Sequence, residues 1–231
     1  MMKTIGVIGG MSWQSSKFYY QYLNEIVAKK LGGSHSAKVL MSSVDFAEIE
    51  RLSFEGNWDE IGRLMAIEAK RLEQSGADIV VLATNTIHLV TKEIEEAISI
   101  PFLHIASAIG TSITEKNLKR VALLGTRFTM EKDFYTKILK EDFGLEVLIP
   151  ELEERNYLQG LIYNELVKGK FTEVAKERCL EIIAKLQAKG AEGVILGCTE
   201  LPILIPSAAV SIPSFDTTMI HCLATVDFAI S

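Results

Sequence analysis

The chain is poor in cysteine, and its few cysteines form no pattern. Three cysteines among 231 residues, Cys179, Cys198 and Cys222, stand at wide and unequal intervals. This number and spacing fit neither a disulfide framework nor a zinc site, so we expect no metal. Free thiols are typical of the reducing cytosol, and we therefore expect a cytoplasmic protein.

Other kinds of segment are missing as well. No apolar run is long enough to cross a bilayer, and the N-terminus leads straight into an apolar strand instead of a signal peptide. The net charge is −6, and no run of lysine and arginine interrupts it. We therefore expect neither a membrane nor a nucleic acid as a partner.

What the sequence does contain is an internal repeat. Residues 72–86 align with residues 186–200, and this alignment places Thr84 on Cys198, 114 residues later. Further pairs keep nearly the same offset: residues 5–9 with 121–125, 18–19 with 134–135, and 100–101 with 212–213. Four aligned pairs in one order indicate two half-molecules of one architecture.

Short β-branched runs alternate with helical patterns, which predicts parallel sheets flanked by helices. The run 79–83 is apolar throughout, as in strands that are covered on both faces. Strands are predicted at residues 4–8, 38–43, 79–83, 102–105, 121–125, 146–149, 193–197 and 214–215. Helices are predicted at 16–31, 59–75, 130–143 with Thr129 as its cap, 153–167, 172–189 and 217–230.

The predicted fold class is therefore α/β, with two pseudo-symmetric three-layer α/β/α halves, mostly parallel sheets and an active site in the cleft between the halves. With crossovers near Pro101 and Pro213, the first half comprises residues 1–101 plus 215–231 and the second comprises 102–214. If the halves face each other across a pseudo-two-fold axis, Thr84 and Cys198 approach one ligand from opposite sides. That arrangement suits moving a proton from one face of a carbon to the other.

Ligands of open parallel sheets bind beyond the carboxyl ends of the strands, and four loops leave such ends here. They are Gly9-Gly10-Met11-Ser12-Trp13, Thr84-Asn85-Thr86, Gly125-Thr126-Arg127 and Cys198-Thr199-Glu200. The first loop is not a dinucleotide fingerprint, because the third glycine and the acidic residue after the next strand are missing. A tight strand-to-helix turn explains its two glycines equally well.

Cys198 is the sharpest candidate for chemistry. A cysteine after an apolar strand is most often a small buried hydrophobe. Cys198, however, precedes two polar residues and is expected near a helix N-terminus, where backbone donors lower a thiol pKa. Cys179 and Cys222 fall in predicted helices, and core packing explains both.

Thr84, Asn85 and Thr86 form a polar cluster at the position that matches Cys198, and helix capping would explain only one of them. His88 lies one turn further on. A lone histidine is more often a structural hydrogen-bonding group than a base. The other histidines, His35, His104 and His221, show no metal-ligand spacing and receive no role.

These residues resemble the aspartate/glutamate racemase family, which works without pyridoxal phosphate. The resemblance covers essentially the whole chain. It rests on Gly-Gly-Met at 9–11, Asn-Thr-Ile-His at 85–88, Leu-Leu-Gly-Thr at 123–126 and Gly-Cys-Thr-Glu at 197–200. It implies a cofactor-independent reaction in which one thiolate takes the α-proton and the opposite thiol returns one. It also implies a homodimer that acts on a small acidic amino acid, aspartate or glutamate.

The resemblance also implies which residues bind the dicarboxylic substrate. Lys168 matches a family lysine that contacts a substrate carboxylate, although a solvated helix-end lysine explains it equally well. Arg51 and Arg127 are weaker candidates for the same task. Glu200 would receive the ammonium group or orient its loop. The implied substrate-binding set is Met11, Ser12, Ser53, Asn85, Thr86, Lys168, Thr199 and Glu200.

One residue departs from the family pattern. Where the family places its first catalytic cysteine, this chain has Thr84. A thiol has a reference pKa of about 8.5, whereas a threonine hydroxyl is a far weaker acid. We therefore expect Cys198 and Thr84 to be the catalytic pair of a racemase that prefers one enantiomer.

Two other functions stay open at this stage. A decarboxylase of the arylmalonate type would need a single cysteine with hydroxyl and backbone donors opposite, and Thr84 fits that division. A maleate isomerase of the same superfamily is the other alternative of this kind. A two-lobed amino-acid-binding protein without catalysis is a third possibility. It predicts that replacing Cys198 with alanine leaves the affinity unchanged.

Overall fold

The structure, a computed structural model, describes residues 2–231 and divides them into two compact units. Of the described residues, those up to Ile105 and from His221 onward form the first unit, and Ala106–Ile220 form the second. The chain changes units twice, within helix α5 (Ile105–Thr114) and within helix α11 (Thr217–Ile230).

The first unit is built on a parallel sheet of three strands. Its strands β1 (Ile5–Gly9), β2 (Val39–Ser43) and β3 (Ile79–Leu82) lie in the order β2-β1-β3. All residues of β1 and β3 are buried, which explains their continuous apolar sequence. Phe102 continues the sheet through a single parallel bridge to Val80.

The helices of the first unit follow recognisable local signals. They are α1 (Trp13–Leu31), α2 (Phe46–Glu55), α3 (Trp58–Gln74) and α4 (Thr91–Ala97), with a 3-10 helix at Thr86–Val90. Ser12, Asp45 and Asn57 cap the first three through side-chain oxygens. The buried face of α3, which includes Ile61 and Met65, belongs to one apolar core with β1 and β3.

The second unit has a four-stranded parallel sheet in the order β5-β4-β6-β7. Its strands are β4 (Arg120–Gly125), β5 (Glu146–Leu148), β6 (Gly193–Gly197) and β7 (Ser214–Asp216). Its helices are α6 (Arg127–Glu131), α7 (Asp133–Glu141), α8 (Leu152–Asn164), α9 (Glu173–Ala188) and α10 (Leu201–Leu204), with 3-10 turns at Leu166–Lys168 and Ser207–Ala209.

The two units repeat one strand order. Strand β4 holds the place of β1, β5 that of β2, β6 that of β3, and β7 that of the Phe102 bridge. The predicted α/β class, with parallel sheets in two halves, is confirmed. Among the described residues, no helix is both long enough and apolar enough to cross a membrane.

Several predicted elements were wrong in detail. A strand was expected at 102–105, but only Phe102 pairs with the sheet and α5 begins at Ile105. The helix expected at 130–143 is two helices, because Lys132 adopts an extended backbone, and its cap is Thr126 instead of Thr129. The helix expected at 153–167 ends at Asn164 and gives way to a 3-10 turn. Helices α2, α4 and α5 were not predicted.

Candidate active site

The turn after β1 is a tightly packed glycine turn. Gly10 has a φ of 97°, and a Cβ atom there would lie 2.2 Å from the carbonyl oxygen of Val44. The Gly10 N–H donates to Ser16 Oγ at 2.7 Å. Only glycine fits this backbone, so the turn itself explains the residue. The neighbouring Met11 and Ser12 are both buried.

In each unit, two hydroxyl groups lie at the start of the helix that follows one strand: α1 after β1, and α6 after β4. In the first unit Ser15 N–H donates to Ser12 Oγ at 3.4 Å, and the two hydroxyl oxygens lie 3.2 Å apart. In the second unit Thr129 N–H donates to Thr126 Oγ1 at 3.3 Å, and the hydroxyl oxygens lie 3.1 Å apart. These pairs stand 114 residues apart, the offset that relates Thr84 to Cys198.

Cys198 leaves the end of β6 beside Thr126. The register pairs Gly125 with Gly197, and a Cβ atom on Gly125 would lie 2.9 Å from the Gly197 carbonyl oxygen. The absence of side chains thus lets β4 and β6 approach closely at their carboxyl ends. The next residues, Thr126 and Cys198, therefore leave the sheet at neighbouring positions.

The Cys198 thiol donates a hydrogen bond to Glu200. Its Sγ lies 3.0 Å from Glu200 Oε2, and Thr199 Oγ1 donates to the same oxygen at 2.6 Å. All three residues are buried. A carboxylate oxygen that accepts from a thiol is in position to take the proton of that thiol.

The environment of Cys198 raises its thiol pKa well above the ordinary value. Burial is the largest cause, followed by the charge of Glu200 and the hydrogen bond to it. The N–H groups of Glu200 and Leu201 act in the opposite direction. The expectation that a helix N-terminus lowers this pKa was therefore wrong in its net effect, because burial and the Glu200 carboxylate outweigh the N–H groups at the start of α10.

Thr84 lies two residues beyond the end of β3, at the place in the first unit that Cys198 holds in the second. Its N–H donates to the Leu82 carbonyl at 2.9 Å, and its own carbonyl oxygen lies 2.7 Å from His88 Nδ1. Asn85 and Thr86, the next residues, are buried. The sequence-predicted polar cluster is therefore assembled at the carboxyl end of the sheet.

The three candidate cations differ in their surroundings. Arg51 forms an ion pair with Glu55 at 2.7 Å, and Arg127 forms one with Glu131 at 3.1 Å, each within its own helix. Lys168 is exposed at the end of the 3-10 turn, and its ammonium group forms no ion pair in the part of the chain that the structure describes. Lys168 is therefore the candidate with a free charge.

The remaining candidates have structural explanations. Ser53 is buried in α2 and donates to the Glu50 carbonyl at 2.7 Å. Cys179 is buried in α9, where burial raises its thiol pKa to about 12. Cys222 is buried in α11. Within residues 2–231, no group of three or more His, Cys, Asp or Glu side chains is arranged to hold a metal ion.

The family assignment rests on the whole chain. The family model for Asp/Glu/hydantoin racemases matches residues 8–225, which include both sheets and all four strand-end loops. The chain belongs to the Asp/Glu/hydantoin racemase family. The prediction of a racemase-type isomerase is confirmed at the level of this family.

Solved structures and curated relatives support this membership. A Yersinia pestis protein that is provisionally named an Asp/Glu racemase is 43% identical over the full length of both chains, with a TM-score of 0.94. PH1733 from Pyrococcus horikoshii, an aspartate racemase homologue, is 35% identical over the full length of both, with a TM-score of 0.88.

Among curated proteins, the broad specificity amino-acid racemase RacX of Bacillus subtilis is 28% identical over 173 residues. These residues are 72% of this chain and 70% of RacX. The chain spans about half the length of the curated glutamate racemases that it matches.

Sequence reasoning overlooked two features of this racemase-family site. The hydroxyl pair Thr126 and Thr129 could have been found, because it begins the helix after the strand that repeats β1, as Ser12 and Ser15 do after β1 itself. The contacts of His104 and His221, which are described below, left no signal in the sequence because their partners are distant along the chain.

Proposed function

We propose that this protein racemises an acidic amino acid, aspartate or glutamate, without a cofactor. Cys198 exchanges the α-proton on one face of the substrate and Thr84 serves the other face. Because a thiol and a hydroxyl differ greatly as acids, the reaction runs faster from one enantiomer. Family membership supports the racemase class, and the substrate and residue roles are part of this proposal.

The single observation that carries the proposal is the hydrogen bond from Cys198 Sγ to Glu200 Oε2. A buried thiol with a raised pKa holds its proton at neutral pH, so the resting group is an acid and needs a partner before it can act as a base. Glu200 is such a partner, since its oxygen already accepts the thiol hydrogen. Thr199 donates to the same oxygen and holds it in place.

The proton transfers balance as follows. The Cys198 proton passes to Glu200 Oε2, and the resulting thiolate takes the α-proton. The electron pair of the broken C–H bond delocalises into the α-carboxylate of the substrate. The Thr84 hydroxyl then donates its proton to the opposite face of the carbon. Solvent returns a proton to the Thr84 oxygen and accepts one from Glu200.

The reverse direction is slow because Thr84 lacks a base. The described contacts give its hydroxyl no carboxylate or imidazole partner. His88 is the nearest histidine along the chain, but both of its ring nitrogens are engaged, one with the Thr84 carbonyl and one with the Ile105 N–H. A hydroxyl without a base removes an α-proton poorly.

An anionic substrate requires a positive charge and hydrogen-bond donors, and we propose the following residues for these roles. The exposed ammonium of Lys168 is proposed to bind the distal carboxylate. Asn85, Thr86 and Thr199 are proposed to bind the α-carboxylate, where negative charge develops during proton removal. We add Thr126 to the proposed carboxylate-binding residues. It follows β4 at the position next to Cys198 and caps the N-terminus of α6.

The test is α-proton exchange in D₂O, followed by NMR together with optical rotation. Both enantiomers of aspartate and of glutamate are compared. We expect exchange with at least one of the two amino acids, much faster from one enantiomer, and its loss in Cys198→Ala. Equal exchange from both enantiomers contradicts the one-sided mechanism, and no exchange from any of the four contradicts the racemase.

A second function is favoured by one feature, a threonine at position 84 where the family pattern has its first cysteine. A decarboxylase needs that arrangement, and CO₂ release from disubstituted malonates without amino-acid exchange would assign it. Unchanged amino-acid affinity in Cys198→Ala, with no exchange in the unmodified protein, would assign a binding protein. A homodimeric assembly and a cytoplasmic setting remain proposals carried by the family resemblance and the free thiols.

A further inference from the structure

His88 connects the Thr84 loop to the start of helix α5. Its Nδ1 lies 2.7 Å from the Thr84 carbonyl oxygen, and its Nε2 accepts a hydrogen bond of 3.2 Å from the Ile105 N–H. The His88 N–H itself donates to the Asn85 carbonyl. The imidazole therefore donates to the Thr84 carbonyl oxygen in place of the His88 backbone N–H.

These partners define one tautomer. An amide N–H can only donate, so Nε2 must be the bare nitrogen, and a carbonyl oxygen can only accept, so Nδ1 must carry the proton. The ring is completely buried, and burial together with the nearby His104 and His221 holds the pKa of His88 well below its usual range. The ring therefore stays neutral and cannot serve as an acid or as a base in this geometry.

The imidazole is also fixed by its neighbours. Its centroid lies 4.6 Å from that of His104, 5.8 Å from that of Phe102 and 5.9 Å from that of His221. His221 Nδ1 accepts from Tyr19 Oη at 2.8 Å, and its Nε2 donates to the Leu103 carbonyl at 2.9 Å. We call His88, His104 and His221 the histidine cluster.

The histidine cluster lies where the chain changes units. His104 and Ile105 are the last residues of the first unit before the chain enters the second, and His221 is the first residue after it returns. The Thr84 carbonyl is thus bonded through His88 to Ile105, where the chain leaves the first unit, and the His88 ring packs beside His221, where the chain returns. All of the contacts named here lie within the first unit.

We propose that His88 is a positioning residue that holds the Thr84 peptide, and through it the Thr84 hydroxyl, in the orientation needed for proton delivery. This inference rests on the proposed function. Hydrogen bonds fix both polar groups of the Thr84 backbone, to Leu82 and to His88. A threonine has few side-chain rotamers on a given backbone, so a fixed peptide fixes the hydroxyl.

Two substitutions separate the two bonds of the ring. In His88→Asn the amide nitrogen can replace Nδ1 as donor to Thr84, and the bond from Ile105 is lost. In His88→Gln the amide oxygen can replace Nε2 as acceptor from Ile105, and the bond to Thr84 is lost. We expect His88→Asn to keep Thr84-face delivery within about threefold, and His88→Gln to lower kcat for it about a hundredfold at nearly unchanged KM.

The readout is α-proton exchange resolved by face, with His35→Gln as the control. His35 is exposed and takes no part in the histidine cluster, so we expect His35→Gln to leave the ratio of the two face rates unchanged. Exchange on the Cys198 face persists in every variant of His88. Equal losses in His88→Asn and His88→Gln, or no loss in either, overturn the proposal.

A second measurement needs no variant and no substrate. The ¹⁵N spectrum of the histidine rings in the unmodified protein reports the tautomer directly, and we expect His88 protonated at Nδ1 at pH 7.5. Protonation at Nε2, or at both nitrogens, overturns the positioning role even if the variants fail to fold. Absence of exchange in the unmodified protein contradicts the proposed function instead, and the ring spectrum still decides whether His88 holds Thr84.

Discussion

The thiol of Cys198 and the carboxylate of Glu200, two residues apart, share a hydrogen bond of 3.0 Å in a buried setting. The charge of the same carboxylate contributes to the raised pKa of the thiol, and its oxygen can accept the thiol proton. The resting cysteine is therefore an acid with a built-in acceptor. Under the proposed function, this pairing is what allows a thiol that is hard to ionise to remove an α-proton.

Replacing Glu200 with glutamine separates these two effects. In Glu200→Gln the charge that raises the Cys198 pKa is gone, so the thiol ionises at a lower pH than in the unmodified protein. Exchange on the Cys198 face nevertheless falls by about 10²-fold or more, because the proton acceptor is lost. Thiolate absorbance against pH and α-proton exchange measure the two effects. A Cys198 pKa that rises in Glu200→Gln would contradict this assignment.

Lys168 and Arg51 form a matched pair for substrate binding. The Lys168 ammonium group forms no ion pair with any of residues 2–231, whereas the Arg51 guanidinium is held by Glu55. We expect Lys168→Ala to raise KM for the dicarboxylic substrate by about tenfold, equivalent to a charge-assisted hydrogen bond. Arg51→Ala should leave KM nearly unchanged. Steady-state racemisation measures both, and the opposite ranking would assign carboxylate binding to Arg51.

Two repeat-related tyrosines differ in their hydrogen bonding. Tyr19 donates to His221, whereas the equally buried Tyr135 hydroxyl has no hydrogen-bond partner among the described residues. Tyr19→Phe should lower the free energy of unfolding by about 1–2 kcal/mol, because it leaves a buried acceptor unsatisfied. Tyr135→Phe should be neutral or stabilising. Urea unfolding of the two variants is the measurement, and equal losses would contradict this difference.

The histidine cluster predicts acid sensitivity. Burial lowers the pKa of His104 to about 3 and that of His221 to about 4, and the pKa of His88 also lies well below its ordinary value. As the pH falls below about 6.5, the unfolded chain therefore takes up protons that the folded chain does not. The free energy of unfolding consequently decreases as the pH falls. Between pH 7.5 and pH 5.5, each buried histidine lowers the free energy of unfolding by about 1.4 kcal/mol, and the three together lower it by about 4 kcal/mol.

Urea unfolding at the two pH values measures this loss. His35 is exposed, so His35→Gln should show the same pH difference as the unmodified protein. His104→Gln should reduce that difference by about a third, since one of three buried titrating groups is gone. A free energy of unfolding that does not change between pH 7.5 and 5.5 would contradict neutral burial of the cluster.

The sequence predicted the sheets better than the helices. The buried strands β1, β3, β4 and β6 have continuous apolar runs, and each of them was predicted within a residue or two. Helix α2 was not predicted, although the sequence holds both of its end signals: Asp45 caps it and Gly56 ends it in a left-handed conformation. The single predicted helix at 130–143 is interrupted at Lys132, and no proline or glycine marks that break.

The candidate site could be predicted from the sequence where its residues are adjacent in the chain. Cys198, Thr199 and Glu200 are adjacent in the chain and form the contacts of one loop. The net pKa direction of Cys198 was not predictable, because it depends on burial and on which way the Glu200 side chain turns. The contacts of His221 with Tyr19 and Leu103 span 202 and 118 residues, so no local pattern reveals them.

The measurement that tests the central claim most directly compares Thr84→Cys with Thr84→Ser. α-Proton exchange in D₂O is followed from both enantiomers of the preferred substrate. The account predicts that the cysteine raises exchange from the slow enantiomer by about tenfold or more, because a thiol is a far stronger acid than a hydroxyl. Serine should keep the one-sided ratio. An unchanged ratio in Thr84→Cys, in a folded protein with intact Cys198-face exchange, would contradict the role of Thr84.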